Sequence, residues 1–154
     1  MVSQRETELE AIVDTKVPTL SSTHIEHVQR TWTIVSKLGS AAADLFYVEL
    51  FKKNPDLRHT IFAKVDLKIQ STKKFAMLAT TIKWLRDPDQ LVPALKASGA
   101  RHVHYGVVKE QYSIIGENLL ATLSIALGDL FTDKVREAWT AVYGVIEYWM
   151  LVGD

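Results

Sequence analysis

Apolar residues recur three and four positions apart along most of the chain, the spacing that lines one face of a helix. Ile25, Val28, Trp32, Val35 and Leu38 form the first such stripe. It follows Ser21, Ser22 and Thr23, whose hydroxyls suit a cap, and Glu26 stands three residues after Thr23 as in a capping box. Gly39 is expected to end this helix in a left-handed conformation. A second helix, Ser40 to Lys53, carries Ala43, Phe46, Tyr47, Leu50 and Phe51 on one side and stops before Pro55. Asp56 to Phe62 reads as a short turn-like helix. The run AKVDLKIQ reads as a loop passing into a helix from about Ile69 to Arg86, apolar at Phe75, Leu78, Ala79, Ile82 and Leu85. Asp87-Pro88-Asp89 closes it. A modest helix from Gln90 to about His102 precedes two long ones, roughly Val108 to Leu127 and Thr132 to Leu151, with Thr132 as an N-cap. The expected fold class is all-α, with six to eight helices and a final pair long enough to pack on each other.

Composition narrows what such a bundle does. With 154 residues, 47% hydrophobic and 23% charged, the chain has the material for one domain with one core. Residues 1–20 are poor in large apolar groups and read as an N-terminal extension, leaving residues 21–154 as the domain. Lys and Arg number 18 and Asp and Glu 18, so no basic excess is available for a phosphate backbone, and nucleic acid is excluded as a partner. Cysteine is absent, which removes disulfides, thiolate nucleophiles, zinc fingers and iron–sulfur ligation. Any metal must be held by histidine or carboxylate. The first residues lack the basic start and apolar stretch of a signal peptide, and the apolar runs look too short to span a bilayer. A cytoplasmic protein without membrane insertion is expected.

No P-loop, dinucleotide fingerprint, HExxH site or serine elbow occurs. Histidine placement is more informative. His24, His27 and His59 lie among polar neighbours and read as solvated. His102 and His104 stand in GARHVHYGVV at a helix end, where a ring can project inward. On the residues alone, a core or capping role for them outweighs ligation of a metal. Lys73 and Lys74 read as a solvated face or as partners for an anionic group, since ligation by lysine needs a depressed pKa.

The strings LFYVELFKKNPDLRHTIF, QSTKKFAML, GARHVHYGVV, QYSIIGENLL and AWTAVYGVI, in that order, resemble the globin family, and in particular single-domain bacterial haemoglobins and the haem domain of flavohaemoglobins. The likeness covers about residues 21–152. It implies a globin fold around haem b (iron protoporphyrin IX), with His102 as the iron ligand. His104 lies on a different azimuth, because two residues turn a helix by about 200°. Phe62 matches a phenylalanine packed on the haem face, and Tyr47 matches a distal tyrosine. The distal amide position falls on Gln70, whose family partner four residues on would be Lys74, or else on Ser71, with Phe75 above the haem. Arg101 is placed to pair with a propionate. Tyr112 matches a tyrosine on the proximal side, and the glutamate that accompanies it in flavohaemoglobins falls near Asp154.

The function implied is reversible binding of dioxygen, carbon monoxide and nitric oxide for oxygen binding, transport or storage. Two alternatives stand beside it. One is a nitric oxide dioxygenase, or peroxidase-like side activity, working with a separate reductase. The other is a gas or redox sensor.

Overall fold

The structure, a computed structural model, describes residues 18–60, 62–63, 66–104 and 107–152. Among them are seven α-helices and no strand: α1 (Ser22–Ser36), α2 (Ser40–Lys53), α3 (Asp56–His59), α4 (Leu67–Lys83), α5 (Pro88–His104), α6 (Lys109–Leu127) and α7 (Asp133–Val152). A 3₁₀ turn, Gly128–Leu130, joins α6 to α7. Of the expected extension, only residues 18–20 are described, and Leu20 packs against the core.

Helix ends follow the local chemistry, and several differ from the expectation. The Ser21 hydroxyl accepts from the His24 amide at 3.0 Å, so α1 starts one residue after Ser21 and no box forms at Thr23. Gly39 has φ of 57° and ψ of −131°. That backbone favours glycine but is not left-handed helical, and it turns the chain directly from α1 into α2. α3 ends at His59, short of Phe62. α4 begins at Leu67 because Asp66 caps it, its carboxylate accepting from the Lys68 and Ile69 amides; the expected loop reached too far. α5 takes in Pro88 as its first residue, where a missing N–H costs nothing.

α1 lies along α7, α5 also packs on α7, and α2 packs on α6. Two apolar clusters result. The larger joins Val28, Leu95, Leu123, Val135, Ala138, Trp139 and Val142, and the smaller joins Tyr47, Leu50 and Leu57 with Phe46, Phe51 and Phe62 around them. Among the described residues α6 is the one helix long and apolar enough to cross a membrane, contrary to the expectation that every apolar run is too short. Its Tyr112, Asn118, Thr122 and Leu123 are nevertheless buried in the bundle, which gives the apolar composition a packing role.

Two contacts fix the bundle's spacing. Gly99 of α5 lies on the α7 backbone at Met150, so closely that a methyl group there would run into the Met150 carbonyl. The Trp139 indole N–H donates to the Thr31 hydroxyl at 2.8 Å, with both residues fully enclosed. Thr31→Val keeps the shape and orphans that donor, so unfolding in urea is expected to show a loss of roughly 1–3 kcal/mol. An unchanged midpoint and slope contradict it.

Candidate functional site

The site is built on the last turn of α5 and the facing side of α4. The Nδ1 of His102 is 2.6 Å from the Ser98 carbonyl oxygen one turn back. A carbonyl only accepts, so Nδ1 carries the proton and Nε2 presents its lone pair away from the helix. The Nζ of Lys74, reaching over from α4, lies 2.5 Å from that Nε2 and donates to it. Among the described residues α4 and α5 make almost no backbone contact with each other, so the long lysine stem spans a crevice between them.

Which side of α4 faces the crevice is set by packing elsewhere. The Phe75 ring lies 4.9 Å from Trp32 of α1, which turns the adjacent Lys74 toward α5. Gln70, half-buried, stands one turn before Lys74 on the same face. Ser71 is buried, and its hydroxyl donates to the Lys68 carbonyl at 3.1 Å, within its own helix. The structure thus puts Gln70 with Lys74 and turns Phe75 toward α1.

Tyr47 belongs to the aromatic cluster, with ring centroids 5.3 Å from Phe46, 5.9 Å from Phe51 and 5.8 Å from Phe62. Leu67, the first residue of α4, and Ile114 and Ile115 of α6 pack against this cluster. The Tyr47 hydroxyl has no hydrogen-bond partner among the described residues, which leaves it a free donor in buried surroundings. Tyr112, buried on α6, has its ring centroid 6.2 Å from that of His102. The Tyr112 carbonyl accepts from the Tyr143 hydroxyl at 2.5 Å. Gly116 makes room for the Tyr143 ring, since a methyl at that position would overlap it. Arg101 is exposed beside His102. His59 is exposed, and His24, expected on the surface, is half-buried, with an Nδ1 lacking a partner among the described residues. The His104 side chain, Gly106 and Asp154 lie outside what the structure describes.

The electrostatics hold the His102 ring neutral and weaken, without removing, the Lys74 charge near neutral pH. Burial, followed by the Lys74 charge, holds the His102 pKa below its ordinary value, outweighing the opposing Ser98 hydrogen bond. Burial lowers Lys74 to about 8, helped by the Arg101 charge, even though Lys74 keeps an exposed flank. Tyr47 is pushed up to about 12 by burial, and Tyr143 is raised by burial and by Glu147. The neutral imidazole lone pair of His102, with Lys74 opposite it, is the set of groups placed to meet a metal. Sequence reasoning missed Ser98, because only the folded helix end shows which carbonyl the ring meets. Two surface grooves, one at Arg58, His59 and Ala63 and one at His24, Asp133 and Arg136, lie away from this set.

Comparison with known proteins sharpens the picture. A family model described as Globin matches residues 44–150. The flavohemoprotein of Vibrio cholerae is 33% identical over 126 residues, covering 80% of this chain and 32% of that protein. The flavohemoprotein of Bacillus subtilis is 31% identical over 130 residues, covering 82% and 32%. The chain therefore spans about a third of the length of these relatives. Among solved structures, a hexacoordinated heme protein from an anhydrobiotic tardigrade superposes with a TM-score of 0.77 at 16% identity, covering 87% of this chain and 94% of that one. A double mutant of myoglobin from Aplysia limacina gives 0.74 at 21%, covering 86% and 97%. At such identities these two likenesses establish the fold alone.

The buried phenols supply a pH test. An unfolded tyrosine releases its proton near pH 10 whereas folded Tyr47 holds it to about 12. Between these values the folded chain binds more protons than the unfolded one, so stability is fully present below pH 10 and falls as pH rises through the window. Alkaline titration of phenolate absorbance is expected to show a late-ionising fraction that shrinks in Tyr47→Phe. If all five tyrosines ionise together near 10, the burial of Tyr47 is contradicted.

Proposed function

The chain belongs to the globin family, and from that premise we propose that it binds haem b through His102 and takes up dioxygen, carbon monoxide and nitric oxide reversibly at the iron. One observation carries the reading: the Ser98 carbonyl fixes the tautomer of His102 so that Nε2, the nitrogen aimed into the crevice, is the one with a lone pair. Haem supplies an iron able to bind a diatomic gas. The protein supplies the rest.

In this reading His102 holds the iron from α5, and the carbonyl behind it keeps the ring oriented and raises its basicity. Phe62, in ring contact with Tyr47 and Phe51, offers an apolar face to the macrocycle. Arg101, exposed at the end of the crevice, is placed for a propionate. Tyr47 is the donor with no competing acceptor, and its high pKa keeps its proton available across the physiological range. Gln70 is the amide side chain of α4, one turn before Lys74, while Ser71 is bonded within its own helix and Phe75 packs on Trp32. Tyr112 backs the His102 ring.

The flavohemoprotein relatives favour a second reading, in which the same site consumes nitric oxide and dioxygen with electrons from a separate reductase. Rapid mixing with nitric oxide separates the two. Repeated turnover with a reductase supports the second reading, and a single uptake without turnover supports reversible binding.

Reduced, haem-loaded protein is expected to show an intense near-ultraviolet absorption band that shifts with carbon monoxide, and His102→Ala to lose stable haem. Protein that stays colourless after incubation with haemin overturns the proposal. Tyr47→Phe removes a hydrogen bond to a partly charged ligand, worth about 1.5–3 kcal/mol, so oxygen is expected to leave roughly ten- to a hundredfold faster. An unaltered off-rate removes Tyr47 from the ligand side.

A further inference from the structure

We propose that Lys74 is an axial ligand of the iron, closing the site from α4 opposite His102. The inference rests on the haem-binding reading above and extends it to a residue that reading does not use. Its basis is the position of one atom. The Lys74 Nζ meets the His102 ring at Nε2, the nitrogen that would hold the iron. The two nitrogens therefore face each other across the crevice, one from each wall.

Distance permits the arrangement. Two metal–nitrogen bonds of about 2 Å each, the usual length for imidazole on a first-row metal, put the nitrogens about 4 Å apart. From 2.5 Å they need part by only roughly 1.5 Å, a change well within the slack of a four-carbon lysine stem. Competing ligands fit less well. The buried Tyr47 phenol retains its proton and so offers no phenolate. Gln70 shares the face, but its amide is a weak donor of electron pairs beside an amine.

The step balances simply. The ammonium releases one proton to solvent, and its electron pair forms the nitrogen–iron bond without oxidation or reduction. A gas then binds only after the amine has left.

The test uses the haem-loaded full chain and its Lys74→Arg and Lys74→Ala variants, read by absorption and electron paramagnetic resonance of the ferric protein. Arginine preserves charge and length but does not give up its proton, so it separates ligation from pairing with a propionate. Wild type is expected to be low-spin and six-coordinate, and both variants high-spin, with carbon monoxide binding to the reduced variants at least tenfold faster than to wild type. A high-spin wild type that still binds carbon monoxide overturns the ligand assignment while leaving the haem reading intact. A low-spin signal that persists in both variants overturns it equally. A chain that takes up no haem overturns both.

Discussion

The docking of α5 on α7 through Gly99 is the constraint on which the site depends. Because a bare α-carbon lies against the Met150 carbonyl, the helix carrying Ser98 and His102 sits on backbone and not on a side chain that could adjust. One turn beyond Gly99, the ring of His102 is then held at two points, by the helix beneath it and by the Ser98 carbonyl at Nδ1. A side chain at position 99 would lift α5 and carry the imidazole away from α4. The tautomer, the direction of the Nε2 lone pair and the reach of Lys74 all follow from this close approach.

A division of labour runs through the bundle. α1 and α7 form the rigid part, with Val28, Thr31, Ala138, Trp139 and Val142 almost without solvent contact. α2 carries the aromatic cluster and is fastened to α6 by the Asn118 side chain, which donates to the Phe46 carbonyl at 2.8 Å. Tyr47 is the next residue along, so that bond fixes the turn from which its phenol projects. Apolar burial supplies stability in one half, and a few directional polar contacts aim the chemistry in the other.

Much of the fold was legible because helical periodicity is a local signal: the stripe from Ile25 to Val35 stands in the packed core, and the last two helices pack on each other as expected. Helix ends were less legible. Asp66 is a readable cap, yet it lies in a run whose charged residues suggest a loop until the amides of Lys68 and Ile69 are seen to use it. For the site, resemblance pointed to His102, Tyr47 and Phe62, whereas the choice between the Gln70 and Ser71 registers was invisible. It depends on the rotation of α4 about its axis, to which a contact between Phe75 and Trp32, 43 positions apart, contributes. Lys74 reads as solvated or anion-pairing for the same reason: the sequence does not show that His102 faces it from α5.

The crevice between α4 and α5 has a consequence for assembly. Its walls are joined by a side-chain bridge and share almost no backbone contact among the described residues, so widening it breaks no helical hydrogen bond and leaves the Trp139–Thr31 lock untouched. A flat guest entering there would exchange one lysine contact for its own and leave that lock in place.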